Sequence, residues 1–305
     1  MYHAVQPSTL PLPNWCFVTE SAFREQMHYL KEHFLVVPLA SLAEHLAEAE
    51  SDRPLAAITF DDGYRNNYTC AYPILREFNL PATIFLATDF IDSDRAMWDA
   101  SLFLALVETT AQELVFRGTR LNLSSIPHKA HAFSHIRTRL KERPLAELSA
   151  ELHKMRKDLG FSAEGSLALD NAFRMLQTSD VREMAESELI SFGGHTAGHC
   201  ILRRESPEEQ TRQILASLEA TERMTGTPCT LFAYPNGSLN DYDAVAMNVL
   251  RDAGVTVAVN TEEGPCTEQT PLLELQRYGI GQGLDQAGFS LKVHHVMHRL
   301  RRGAR

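Results

Sequence analysis

Several features that mark particular classes of protein are missing from this chain of 305 residues. A basic surface is missing: the net charge of -10 argues against a nucleic-acid partner, which would be held by phosphate contacts. The five cysteines are scattered and never spaced Cys-x-x-Cys, which argues against a disulfide framework and a thiolate zinc site. No run approaches about 18 apolar residues, so we expect no transmembrane segment. These absences favour a globular protein in a reducing compartment.

Strand and helix patterns alternate along the first hundred residues and again after about residue 187. Strands are predicted at residues 2–5, 34–37, 55–60, 82–87, 189–192, 229–233, 255–260 and 275–280. Helices are predicted at 20–33, from Ser41 onward, at 67–78, from Ser206 to Gly226, and at 241–253. Such alternation implies parallel pairing and an α/β fold.

Between about residues 97 and 186 the alternation stops. Leucines recur there at helical spacing, for example Leu145, Leu148 and Leu152. We interpret this segment as a mostly helical insertion, with the possible role of a cap, within one domain that spans residues 1–305.

Two adjacent carboxylates, Asp61 and Asp62, follow the predicted strand at 55–60, and Gly63 allows a sharp turn after them. Neighbouring residues on an extended chain point to opposite sides, so the two carboxylates would do different work. An ordinary acidic turn or helix cap is the alternative interpretation.

His195 and His199 follow a second predicted strand and lie four residues apart. In a helical turn this spacing puts two imidazoles on one face, where they can converge on one cation. Histidine pairs also arise by chance, but both motifs follow strands of the same alternating pattern. Two histidines and one carboxylate at one rim would form a recurring hydrolytic zinc set.

A third motif, Phe232 to Gly237, follows another predicted strand. With Thr59 to Tyr64 and His195 to His199, it makes the chain similar to the polysaccharide deacetylases of the NodB-homology type, carbohydrate esterase family four. The similarity also includes Leu80 to Leu86, and it covers about residues 1–98 and 187–285. It implies a distorted (β/α) barrel of about seven units, interrupted by the helical insertion.

The resemblance also implies roles for individual residues. One divalent metal, most often zinc, would be held by Asp62, His195 and His199. Asp61 would act as the general base, and the backbone N–H of Asn236 would stabilise the oxyanion.

This chain differs from the family at two positions of the third motif. Ala233 stands where the family has an arginine that orients the catalytic aspartate, and Asn236 stands where it has a tyrosine. The partner of Asp61 is therefore not identified by the sequence. The general acid is open as well. Its candidates are His3, His294, His295 and His298.

The expected substrate is an acetylated amino sugar in a bacterial glycan or its precursor. Tyr64, Tyr234, Pro235 and Trp98 are candidate substrate-binding residues, although the aromatic ones would serve equally well as packing residues. Two alternatives stay open: a metal-independent hydrolase of another C–N bond, and a noncatalytic glycan-binding barrel. Because the N-terminus shows no signal peptide, we expect a cytoplasmic bacterial enzyme. Its oligomeric state is not indicated.

Overall fold

The computed structural model describes residues 1–42, 44–45, 52–161 and 171–295. The helix predicted from Ser41 onward falls largely outside these ranges. Within them the strands are β1 Ala4–Gln6, β2 Phe17–Thr19, β3 Leu35–Val36, β4 Leu55–Ala56, β5 Ile58–Phe60, β6 Ala82–Leu86, β7 Glu113–Phe116, β8 Thr119–Asn122, β9 Ile190–Gly194, β10 Leu231–Ala233 and β11 Val257–Val259.

Five of these strands form one parallel sheet in the order β11, β10, β9, β6, β5. Isolated bridges continue it at both edges, from Phe60 to Tyr2 and from Val259 to Leu275. The sheet curls into a half-barrel, and all carboxyl ends of its strands meet at one rim. The predicted α/β fold with a distorted barrel is therefore confirmed, and the motifs that follow β5, β9 and β10 share that rim.

Two predicted strands differ from the observed ones. The run at 55–60 is interrupted at Ala57, so that β4 pairs with β3 and β5 pairs with β6. The strand predicted at 275–280 was wrong: only Leu275 makes a bridge. Nearby backbone groups have other partners, since Asn260 donates through its side chain to Glu274 O and Arg277 donates through its backbone N–H to Glu262 O.

The described α-helices are α1 Glu20–His33, α2 Tyr72–Phe78, α3 Trp98–Glu108, α4 Ile126–Leu140, α5 Leu145–Asp158, α6 Thr178–Ala185, α7 Pro207–Thr225, α8 Ala244–Asp252 and α9 Gln286–Val293. A π-helical turn, Asn67–Ala71, precedes α2. As predicted, Ser206 caps α7 by accepting from Glu209 N, and Gly226 ends it in the left-handed conformation. None of the described helices is long and apolar enough to cross a membrane.

The segment predicted as a mostly helical insertion contains α3 to α6. It also contains an antiparallel hairpin, β7 paired with β8, that was not predicted. Most of its apolar side chains belong to one core cluster, in which Phe103 contacts Phe133 and Phe173 with ring centroids 5.7 and 5.2 Å apart. The same cluster includes Phe17 and Tyr64 from the barrel, and Phe17 contacts Phe173 with ring centroids 5.1 Å apart, so the insertion shares its core with one side of the barrel.

Candidate active site

The chain turns sharply at the end of β5, immediately after Asp61. Asp62 has a φ of 79° and Gly63 a φ of 86°, both in the left-handed region. A Cβ on Gly63 would also lie 2.9 Å from Leu86 Cδ2, so glycine is favoured there by conformation and by space. Both carboxylates are almost fully buried. The two carboxylates have different partners, but this follows from the turn and not from the alternation of an extended chain, since Asp62 has left-handed backbone.

His195 and His199 both reach Asp62. The Asp62 Oδ1 atom lies 3.5 Å from His195 Nε2 and 3.2 Å from His199 Nε2. The two histidines lie in a loop after β9, not in a helical turn, so the geometric reason given for their convergence was wrong. Left-handed backbone at Thr196 (φ 56°) and His199 (φ 55°) brings the two rings together instead.

The Asp62, His195 and His199 side chains fit a metal ion. Their ligand atoms all lie within 4.8 Å of one another. Asp62 Oδ1 is buried and has no hydrogen-bond partner among the described residues. Burying an unpaired carboxylate oxygen is costly, and a bound cation would remove that cost. Two imidazole nitrogens and one carboxylate oxygen are ligands typical of zinc and of other first-row divalent metals.

The second ring nitrogen of His195, Nδ1, makes a hydrogen bond to the main chain. His195 Nδ1 lies 2.7 Å from the carbonyl oxygen of Ala233, to which it donates. The Nε2 lone pair is therefore left facing Asp62, which is the tautomer that a metal ligand needs.

The charges within this cluster support one another. Burial alone would raise the pKa of Asp62, but the charge of His199, the largest opposing cause, holds that pKa well below its usual range. Burial likewise opposes protonation of His199, yet the Asp62 carboxylate raises the pKa of this histidine overall. Asp62 is accordingly ionised at neutral pH.

Asp61 is paired with Arg277, a residue that sequence reasoning did not identify. Arg277 Nη1 lies 2.7 Å from Asp61 Oδ1, and Nη2 lies 2.8 Å from Oδ2, which makes a two-pronged ion pair. Arg277 is 6% exposed, and its Nε donates to Asn260 O at 2.8 Å. Burial favours the neutral acid and is the largest single effect, but the charge and hydrogen bonds of Arg277 together with the nearby histidines outweigh it and lower the pKa of Asp61.

Arg277 thus binds the carboxylate that, by the resemblance, an arginine of the third motif would orient. The sequence contained one weak signal for it, because an arginine within the strand predicted at 275–280 would need a partner if that strand were buried. Sequence spacing could not indicate which carboxylate that partner was.

His3 also lies at this rim, next to the strand position that pairs with Phe60. Its Nδ1 atom is buried and has no hydrogen-bond partner among the described residues. Burial lowers the pKa of His3, while the charges of Asp62 and Asp61 oppose that shift. The later histidines lie elsewhere: His294 contacts the Tyr29 hydroxyl and His295 that of Tyr278, whereas His298 is outside the described residues.

Asn236 follows β10 in a tight turn with a φ of 65°. Among the described residues, no acceptor pairs with its backbone N–H. Its carbonyl accepts from Thr261 Oγ1 at 2.8 Å, and its side-chain amide donates to Asp241 Oδ2 at 2.7 Å. The turn is thus held on two sides while one N–H stays available.

The candidate substrate-binding residues are more buried than a substrate contact suggests. Tyr64 is 2% and Tyr234 0% exposed, and Tyr234 stacks on Tyr242 with centroids 3.8 Å apart. Pro235 is buried and Trp98 is 8% exposed. These side chains support the loops from beneath, and their contact with substrate stays a prediction.

The site lies at the rim of a curled parallel α/β barrel. It combines an Asp-His-His cluster with a second carboxylate that is held by an arginine. This combination is typical of hydrolases. The sequence profile of the polysaccharide deacetylases matches residues 48–258, which is more than half of the chain. This chain therefore belongs to the polysaccharide deacetylase family, whose members are hydrolases that remove acetyl groups.

Individual relatives agree with this assignment. YxkH of Bacillus subtilis (strain 168), which carries the name of a polysaccharide deacetylase, is 20% identical over 96% of this chain and 74% of its own. The Poly-beta-1,6-N-acetyl-D-glucosamine N-deacetylase of Escherichia coli (strain K12) is 35% identical, but over 25% of this chain and 12% of its own. The solved structure of the Streptococcus pyogenes deacetylase PplD in complex with acetate covers 95% of both chains with a TM-score of 0.62 and 18% identity, which shows a shared fold.

Proposed function

We propose that this protein uses one divalent metal ion, zinc in the first place, to remove the N-acetyl group from an amino sugar in a bacterial glycan or glycan precursor. The observation that carries the proposal is the pair of buried carboxylates: Asp62 with an oxygen aimed at two histidine nitrogens, and Asp61 held by Arg277. Amide hydrolysis needs both an electrophile for the carbonyl and a base for water.

Asp62, His195 and His199 would hold the metal. When bound, the ion would supply a Lewis acid that polarises the acetyl carbonyl. The hydrogen bond from His195 Nδ1 to the Ala233 carbonyl keeps that ring in the orientation required of a ligand.

Asp61 would take a proton from the attacking water. Arg277 binds both oxygens of this carboxylate, so the plane of the carboxylate is fixed before substrate arrives. The pairing also counts against a noncatalytic barrel, since a missing arginine was one of the two reasons for that alternative; the other was the uncertain general acid.

The backbone N–H of Asn236 would donate to the carbonyl oxygen as negative charge develops on it. Its lack of a partner among the described residues supports this assignment. When the C–N bond breaks, acetate leaves and the amine nitrogen must gain a proton. The proton that Asp61 has taken from the water supplies this need, and we assign its relay to the amine to His3, whose Nδ1 is buried and unpaired within the described part of the chain.

An amino sugar as substrate is supported by the partial match to the Escherichia coli enzyme, whose name states an N-acetyl-D-glucosamine polymer. The identity of the sugar and the length of the glycan are open to assay. A panel of N-acetylated mono- and oligosaccharides, with released acetate as the readout, would identify the preferred substrate.

The central test measures bound metal and acetate release for the wild type and for Asp61→Asn. We expect both proteins to bind one equivalent of metal and only the wild type to turn over. Asp180→Asn is a matched control, because Asp180 is also buried and paired with an arginine, Arg65, away from the site. Equal activity of Asp61→Asn and wild type would contradict the assigned base. Full activity after complete chelation, with cleavage of cyclic amides, would support the metal-independent alternative instead.

The role of His3 has a separate test, since an O-acetyl ester has a better leaving group than an amide and needs little help from an acid. His3→Gln is expected to lose N-deacetylation and to keep most of its activity on an activated acetate ester. Loss of both activities in equal measure would contradict a role in protonating the amine.

A further inference from the structure

The corner between α4 and α5, residues 141–145, lies against the loop that carries both histidines. The carbonyl of Lys141 accepts from Arg204 Nε at 3.3 Å, and the backbone N–H of Leu145 donates to Glu205 Oε1 at 2.6 Å. Gly198, between the two histidines, is so close that an added Cβ would lie 2.7 Å from Leu145 Cδ2. The insertion is therefore attached to the rim of the barrel at this corner.

The side chain of Lys141 continues from the corner to the neighbouring loop. Its ammonium group donates to Asn236 Oδ1, and the Asn236 amide in turn donates to Asp241 Oδ2 at 2.7 Å. Asp241 is buried and also accepts from the backbone N–H of Ser238 at 2.9 Å. Lysine, amide and carboxylate thus form a chain of hydrogen bonds that begins in the insertion and ends in the β10 loop.

Asn236 is the residue whose orientation this chain controls. It has left-handed backbone, which a side chain that bonds to neighbouring groups helps to maintain. Both ends of its side-chain amide are engaged, the oxygen by Lys141 and the nitrogen by Asp241. The direction of its backbone N–H therefore depends on groups from two separate parts of the fold.

We propose that Lys141 is a positioning residue, through which the insertion holds Asn236 so that its backbone N–H faces the reacting carbonyl. The inference deepens the proposed function and rests on it. In this arrangement the insertion helps to orient a group of the active site, in addition to covering it.

The test compares Lys141→Met, which keeps the length of the side chain and removes its donors, with Lys141→Arg, which keeps a donor. A misdirected oxyanion donor lowers kcat, so Lys141→Met is expected to lose about tenfold or more in kcat with little change in KM. Lys141→Arg should recover part of that loss. A rise in KM with unchanged kcat would instead assign Lys141 to substrate binding and overturn the proposal.

A double variant separates positioning from general packing. Asn236→Gly tolerates the left-handed backbone and removes the side chain that Lys141 binds. If Lys141 acts through Asn236, adding Lys141→Met to Asn236→Gly should cause little further loss of kcat. Fully additive losses would contradict the proposal.

Lys129 provides the matched control for stability. Its ammonium group also bonds from α4, but to the carbonyls of Val107 and Thr109 inside the insertion. Lys129→Met is expected to lower the melting temperature and to leave kcat unchanged. A loss of kcat in Lys129→Met equal to that in Lys141→Met would show that the insertion acts only through overall stability.

A measurement on the protein without substrate tests this inference separately from the proposed function. The amide signals of Asn236 and Gly237, followed by NMR, should shift in Lys141→Met and stay in place in Lys129→Met. Absence of acetate release by the wild type on every acetylated sugar would refute the proposed function alone. Unshifted Asn236 signals in Lys141→Met would refute the positioning role, whatever the substrate.

Discussion

The rim of the barrel and the helical insertion differ in what they bury. The rim buries Asp61, Asp62, His195 and Arg277, and four of its loop residues, Asp62, Thr196, His199 and Asn236, have left-handed backbone. The insertion buries a mostly apolar cluster, and most of its ion pairs, such as Arg117 with Glu151, are partly exposed; buried Asp180 is the exception. Strained backbone and buried charge persist only where the surrounding structure enforces them, and at the rim the two occur together. The insertion follows the ordinary rules of stable helices.

The largest effect is expected at the metal ligands. Asp62→Asn keeps the left-handed backbone, which asparagine tolerates, but removes the negative charge. We expect bound metal to be lost and acetate release to fall on the order of 10³-fold, since a Lewis acid contributes several kcal/mol to such a reaction. Metal analysis and a progress curve at excess zinc check this. His153→Gln in the insertion should keep both metal and activity.

The next largest effect is expected for Arg277→Met. Removing one partner of a buried ion pair leaves Asp61 charged and unpaired, at a cost of about 3–5 kcal/mol in the free energy of unfolding. Urea denaturation measures this cost. The double variant Asp61→Asn with Arg277→Met should regain part of the stability and none of the activity. An unchanged midpoint for the single variant would show that the pair is not formed in solution.

A core substitution in the insertion should separate stability from catalysis. Leu152 is buried in the insertion core, and Leu152→Ala is expected to cost about 2–4 kcal/mol through the lost contacts and the cavity. The kcat per folded molecule should stay at the wild-type level, because Leu152 lies outside the chain of hydrogen bonds from Lys141. A large loss of kcat at full folding would remove the distinction between the two regions.

The smallest effect is expected from the titration of Asp61. Its folded-state pKa is lowered by Arg277, so the pair contributes stability that is fully present above the unfolded pKa of about 3.9. That contribution is lost as the pH falls through the folded-state pKa. The difference in unfolding free energy between wild type and Asp61→Asn, measured from pH 7 to pH 3, should therefore shrink only at the acidic end. A difference that changes near neutral pH would mean that another group controls it.

The fold and the metal cluster could be predicted because their signals are local. Asp61 and Asp62 at the end of one apolar run, and two histidines four residues apart at the end of another, indicate a shared rim once the strands are parallel. The hairpin in the insertion had a weaker local signal, the turn residue Gly118 between two short runs, because Glu113 to Phe116 does not alternate between polar and apolar residues.

Contacts between distant positions could not be predicted in the same way. Arg277 meets Asp61 across 216 positions, and Lys141 meets Asn236 across 95. Neither arginine nor lysine belongs to a motif, and a surface role is the usual one for both residue types. Only the packing of the β11 edge and of the α4–α5 corner brings these cations to the rim.

The hydrogen bond from His195 to the carbonyl of Ala233 has an evolutionary consequence. The group at position 233 that accepts from His195 is a main-chain carbonyl. This hydrogen bond therefore does not depend on which side chain stands at position 233, provided that the side chain fits the core. A barrel of this kind can therefore exchange the side chain at that position while the histidine stays oriented. The cation that binds the Asp61 carboxylate comes from position 277 instead.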